Sequence, residues 1–286
     1  MKLNDCAHHI RMQLFGLFVL VLAMLIVPSS GRAATGGPDA FGYTWADQAE
    51  ATCSYNFVDI SATGLQIVNG DDTASGGVAL SAPFDFYGTV YNQLNMASNG
   101  YITTDPADTG PDLSNDCPLP VTPSTGGGAR MYPLHDDLEL VAGTGRGLIQ
   151  YFAVCPRPSD RNPGEACTVF MWDDVTHYGG GGPWDMEAIV YHQSNDFVFQ
   201  IGPGNPELGS GSTTGIQDPP PPTTGLTYAC NTAGSIPDNT AVCFFHPGFS
   251  PAAIPTLSEW GMIIMGLLLG IAAITILRNP RFRTAL

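Results

Sequence analysis

Between residues 35 and 250 no window keeps an apolar stripe at helical spacing for three turns, so a helical core is excluded for most of the chain. The apolar segments in that stretch are short and bounded by Gly, Pro, Asn and Asp. Segments 57–60, 77–80, 84–87, 101–103, 148–154 and 168–172 read as strands. The clearest pair is 186–192 and 197–201, two β-branched and aromatic arms joined by Gln193-Ser194-Asn195-Asp196. Asn99-Gly100 is a strong hairpin dipeptide, with positive φ available at both positions. Many short strands spaced by roughly 8–12 residues predict an all-β, antiparallel β-sandwich. No internal repeat occurs at solenoid or propeller spacing. Residues 105–128, Gly179–Gly182 with Pro183, and Pro219–Pro222 read as loops by composition. The polyproline stretch is assigned to a surface loop inside one domain, because a strand-like segment, 225–229, follows it.

Both ends of the chain carry a different signature. Lys2 and Arg11 form a positive region ahead of the apolar run 14–27, and Pro28 to Gly31 then break that run. Cleavage after Ala33 would leave Gly31 and Ala33 at the two small-residue positions, so residues 1–33 read as a signal peptide for signal peptidase. An uncleaved anchor is the alternative, and a run this short disfavours it. At the other end, Ile254-Pro255-Thr256-Leu257 and Trp260-Gly261 lead into an uncharged stretch ending at Leu277, followed by Arg278, Arg281 and Arg283. As a helix, residues 261–277 would measure about 25 Å, near the lower limit for a hydrocarbon core of about 30 Å. Trp260 would sit at the outer interface, and the three arginines would stop transfer at the cytoplasmic end. The reading is a single transmembrane helix, an inner-membrane intermediate with its N-terminal part outside. The organisation expected is therefore signal peptide 1–33, extracellular domain 34–248, linker 249–253 and C-terminal signal 254–286.

Charge and cysteine use agree with export. The segment 34–261 carries 25 acidic residues against Arg130, Arg146, Arg157 and Arg161, a net −21 with no lysine. Such a surface repels nucleic acid and anionic lipid and attracts cations, so DNA or RNA is excluded as a partner. Cys53, Cys117, Cys155, Cys167, Cys230 and Cys243 remain once Cys6 leaves with the signal peptide. Six cysteines in an exported domain point to disulfides, with fifteen pairings available. Nearest-neighbour pairing is favoured: Cys155–Cys167, Cys230–Cys243 and Cys53–Cys117. No spacing typical of a zinc site occurs among the cysteines.

The C-terminal residues resemble the IPTL-CTERM sorting signal of Gram-negative bacteria in motif, following helix, basic tail and position. That resemblance covers about a tenth of the chain. It implies processing by an exosortase, a membrane transpeptidase that cuts near the motif and passes the protein to the cell surface or extracellular matrix. Residues of the middle are similar to nidogen-like extracellular β domains: Phe84-Asp85-Phe86-Tyr87-Gly88, Tyr91, Ser98-Asn99-Gly100-Tyr101-Ile102, Pro133-Leu134-His135-Asp136-Asp137-Leu138, Met171-Trp172-Asp173-Asp174-Val175 and Gly215-Ile216-Gln217. This second resemblance implies a β-rich module of interaction or adhesion type, with protein or glycan ligands, and carries over no catalytic residue.

Three chemistries remain to be placed. Asp136, Asp137 and Glu139, with Asp173, Asp174 and the pair Asp71-Asp72, could supply calcium's six to eight oxygens if they converge, although none matches an EF-hand loop. No other cofactor is implied. A hydrolase is the competing function; the chain has neither a GxSxG elbow nor HExxH, and His135-Asp136 is the only suggestive neighbour pair among His135, His177, His192 and His246. Trp172 reads as a core anchor over a ligand platform, while Tyr43 and Trp45 either pin the first strand or line a groove.

Overall fold

The computed structural model describes residues 35–115, 117–141 and 145–249. The predicted signal peptide and the sorting segment with its transmembrane helix lie outside the described residues. Among the described residues there is no helix long and apolar enough to cross a membrane. The strands in chain order are β1 (Thr35–Gly36), β2 (Thr44–Asp47), β3 (Leu65–Val68), β4 (Gly70–Asp71), β5 (Val78–Phe86), β6 (Thr89–Ala97), β7 (Tyr101–Thr103) and β8 (Arg130–His135). They continue with β9 (Leu138–Leu140), β10 (Arg146–Phe152), β11 (Cys167–His177), β12 (Trp184–Tyr191), β13 (Phe197–Ile201), β14 (Thr213–Gln217), β15 (Gly225–Cys230) and β16 (Thr240–Phe245).

All pairings are antiparallel, and they make two sheets. One sheet of ten strands runs β1-β2-β16-β13-β12-β11-β10-β3, with β9 pairing the end of β11 and β4 pairing β9. The other, of six strands, runs β15-β14-β8-β7-β6-β5. Alternation along each strand builds the core between them. Phe170 and Trp172 of β11, Ala188 and Val190 of β12, and Phe197 and Phe199 of β13 face Phe84, Phe86, Met96, Ile102 and Met131 of the second sheet. Trp172 is fully buried, and its indole N–H donates to Ala97 O at 2.8 Å, as expected of an anchor. Tyr43 is buried in the same core, and Trp45 packs edge-on against Tyr228 at 4.9 Å, so both pin the first strands.

The opposite face of the large sheet is also buried. Val169, Met171, Ile189, Tyr191, Val198 and Cys243 project there and meet Cys53, Val58 and Ile60. That double burial is why β11, β12 and β13 read as nearly continuous apolar runs. It also corrects the reading of 57–60 as a strand: the segment is irregular and lies across the sheet as a cover. Its backbone is satisfied by side chains instead of a ladder. Asn56 N–H donates to Gln200 Oε1 at 2.6 Å, Asn56 O accepts from Gln200 Nε2 at 2.9 Å, and Val58 N–H donates to Glu187 Oε1 at 3.0 Å. Segments 77–80 and 84–87 prove to be one strand, β5, whose pairing shifts between Ala79 and Phe84 around Pro83. Between β6 and β7 the turn is Ser98-Asn99-Gly100, in which only Gly100 takes positive φ.

The outer face of the six-stranded sheet is sealed by the loop 104–129, which brings Leu119 against Tyr101 and Tyr132. Arg130 lies fully buried beneath it, paired with Asp108 at 3.0 Å and with Asp112. Of the three predicted disulfides, Cys155–Cys167 is present; the others are Cys53–Cys243 and Cys117–Cys230. Cys230–Cys243 is excluded because β15 and β16, neighbours in sequence, belong to different sheets. Each long-range bond instead fastens an irregular cover to the strand beneath it.

Candidate functional site

The four arginines of the domain are all engaged internally: Arg130 with Asp108 and Asp112, Arg146 with Asp173, Arg157 with Asp160, and Arg161 with Asp196. Among the described residues the other carboxylates have no arginine partner. They concentrate where β8 turns into β9, and Asn99 organises that turn from beneath. Its Oδ1 accepts from Leu138 N–H at 2.9 Å, while its Nδ2 donates to Asp72 Oδ1 at 2.8 Å and to Gly110 O at 3.2 Å. Asn99 O in turn faces His135 Nδ1 at 2.8 Å. The neighbouring Asp136 and Asp137 are held at fixed positions on a buried scaffold.

The five predicted calcium ligands do not meet in one group. Asp137 joins Asp71 and Asp72; Asp173 and Asp174 join Asp185; Asp136 joins His177 and Glu207. Glu139 stands opposite Asp71 in the β4–β9 register. Within the second group Arg146 already neutralises Asp173. His135 and Asp136 make no acid–base pair. His135 is fully buried, with Asn99 O on one nitrogen and Ser114 O at 2.9 Å on the other, and burial pushes its pKa down.

Asp136, His177 and Glu207 form the most differentiated cluster. Asp136 directly follows β8, His177 ends β11, and Glu207 comes from the loop between β13 and β14. The tight turn after β11 contains Gly179 to Gly182, all with positive φ between 84° and 123°, a path closed to residues with a Cβ. It lets His177 N–H donate to Gly181 O at 3.1 Å, and Tyr178 N–H donates to Asp137 O at 2.9 Å, which locks the imidazole beside the carboxylates. His177 Nδ1 contacts Tyr178 O at 2.8 Å. Its Nε2 stands 3.4 Å from Asp136 Oδ2 and 3.3 Å from Glu207 Oε1. Asp136 Oδ1 accepts from Asp137 N–H at 2.8 Å, leaving Oδ2 for the imidazole. Among the described residues the buried Glu207 Oε2 has no fixed donor, and the Asp136 carboxyl hydrogen-bonds Glu207 when it is protonated. Gly211 closes the cluster: a Cβ there would fall 2.5 Å from that oxygen and 3.4 Å from Asp136 Oδ2.

Electrostatics follow from this crowding. Burial, and then the Glu207 carboxylate, push the Asp136 carboxyl up to about 6, against the pull of Asp137 N–H and of His177. Burial works to lower His177, but its bond to Tyr178 O and the carboxylates of Asp136 and Glu207 raise it. The grouping is invisible in sequence, because its members lie in three separate segments with no common motif. The glycine run after His177 was the one local sign of a constrained position.

The fold and this acidic end define the class: a disulfide-braced, antiparallel β module with an anionic surface. Residues 43–243 match the family model described as NIDO related, and the chain belongs to that family. Residues 252–279 match the IPTL-CTERM motif, which implies a secreted or cell-surface protein sorted by exosortase-type processing. No match is found among curated proteins or among solved structures.

Proposed function

We propose that this chain is a structural or adhesive component of the cell surface or extracellular matrix, delivered there by its own C-terminal signal. In this reading signal peptidase removes 1–33, the stretch ending at Leu277 holds an inner-membrane intermediate, and residues 34–248 are the exported module. The observation that carries the proposal is the joining of a sorting motif to a module whose every arginine is spent on an internal carboxylate. The exported face is therefore anionic without a compensating cationic patch, which suits cation-bridged contacts with other surface polymers. Binding to protein or glycan ligands is the role proposed for the module, in preference to hydrolysis, since neither family match points to an enzyme. The test is co-sedimentation of the exported chain with its host's isolated envelope and matrix, with and without a chelator. Retention that chelation releases supports cation-bridged binding. A chain recovered wholly in the soluble medium fraction under both conditions would contradict it.

A further inference from the structure

We propose that Asp136, His177 and Glu207 are the protein ligands of a divalent transition-metal site of the zinc type, with a fourth position open. Four donors about 2.0–2.1 Å from a tetrahedral zinc lie about 3.3–3.4 Å from one another, since the tetrahedron's edge is about 1.63 bond lengths. The Nε2 to Oε1 and Nε2 to Oδ2 separations are 3.3 and 3.4 Å. Direct hydrogen bonds from an imidazolium to a carboxylate would close to about 2.7–2.9 Å.

The surrounding bonds point the same way. Metal-ligating histidines hold their second nitrogen against a carbonyl or carboxylate, which fixes the tautomer and aims the free lone pair. Here Nδ1 is held by Tyr178 O at 2.8 Å, so the Nε2 lone pair faces the two carboxylates. The Asp136 carboxylate is likewise held on one oxygen by Asp137 N–H and offers the other. Glu207 Oε2 is a buried atom on a side chain that is itself 31% exposed; the Asp136 carboxyl, when protonated, is its donor, and the missing Cβ of Gly211 leaves the space beside both open. Two carboxylates and one imidazole make an N/O donor set suited to zinc or manganese, and three donors fall short of the six to eight oxygens calcium takes. The adjoining Asp71, Asp72 and Asp137 group has no imidazole and no buried oxygen lacking a fixed donor among its atoms, and serves as the internal comparison.

Geometry gives the site a consequence. Asp136 leaves a strand of the six-stranded sheet, His177 ends a strand of the ten-stranded sheet, and Glu207 lies on the loop that crosses between them. A metal there would clamp the two sheets together at one end, independently of how the chain is sorted. The open position would accept water or a donor from a surface partner.

The experiment is isothermal titration of the chain as its host exports it, purified without a histidine tag, with Zn2+ and separately with Ca2+. His177→Gln, Glu207→Gln and Asp71→Asn are titrated beside it, with near-ultraviolet circular dichroism reporting the fold. Expected are one Zn2+ per chain, a loss of affinity of more than about 100-fold in each of the first two variants, and unchanged binding in Asp71→Asn. Absence of Zn2+ binding to the unaltered chain overturns the proposal. So does full affinity in a folded His177→Gln, or a Ca2+ affinity above that for Zn2+ that Asp71→Asn abolishes.

Discussion

Each sheet is sealed on its outer side by irregular chain with a buried arginine beneath it, yet the two covers differ in what satisfies their backbone. The ten-stranded sheet is covered by apolar residues, Val58 and Ile60, stitched down by neutral or neutralised side chains: Gln200 and a buried Glu187. Arg157 stands beside them, giving its guanidinium to Ser54 O and Tyr191 Oη. The six-stranded sheet is covered by a polar loop held on one buried cation, Arg130, between Asp108 and Asp112. The contrast shows two ways to bury backbone outside a ladder. One supplies amide and carboxyl partners along the sheet; the other gathers carboxylates round a single guanidinium.

Removing the covalent pins is the most damaging test of that comparison. Closing loops of 190 and 113 residues, Cys53–Cys243 and Cys117–Cys230 each contribute about 5 kcal/mol by chain entropy, and Cys155–Cys167, spanning 12, about 3 kcal/mol. Denaturant titration of the paired Cys→Ala variants should reproduce that order. Limited proteolysis of the Cys117/Cys230 variant should cut first within 105–128, whereas cuts in 53–60 would mean the covers are not independent.

Next in size is the buried cation. Arg130→Met strands two fully buried carboxylates and should cost about 3–5 kcal/mol. Arg157→Met leaves one partly exposed Asp160 and should cost about 1–3 kcal/mol. Equal losses in chemical denaturation would erase the distinction between the covers.

The pH response sharpens it further. Burial raises Glu187 from its ordinary 4.5 to about 8, so the folded chain holds a proton there that the unfolded chain releases. Its stabilising contribution is full below about pH 4.5 and is lost as pH rises toward 8. The slope should total on the order of 3 kcal/mol between pH 5 and pH 8, and Glu187→Gln should flatten it. A variant with the parent's slope would place the titration elsewhere. At Arg146, itself 39% exposed, the partner Asp173 is only 8% exposed, so Arg146→Ala strands that carboxylate and should cost about 1–3 kcal/mol, as Arg157→Met does.

Much of this was legible in the sequence. Segments 101–103 and 197–201 coincide with β7 and β13, and the all-antiparallel class followed from spacing and turn residues. The glycine- and proline-rich loops also lie where composition put them. The covers were not legible, because alternation in 57–60 reports burial on one side and cannot say whether a strand or a side chain satisfies the backbone. Cys155–Cys167 was legible from its short spacing, but the other two pairings failed for a related reason: β15 and β16 are neighbours in sequence but occupy different sheets, and nothing in the cysteine spacing encodes that. The acidic pairs were visible, whereas their division into three groups, and the part of Glu207, depend on long-range topology.

The most direct test of the account is intact-mass spectrometry of the chain recovered from its own host, beside a variant with Ile254, Pro255, Thr256 and Leu257 replaced by alanine. Loss of the C-terminal segment is expected in the unaltered chain, and its retention in the variant. The same full-length mass in both would contradict processed surface sorting.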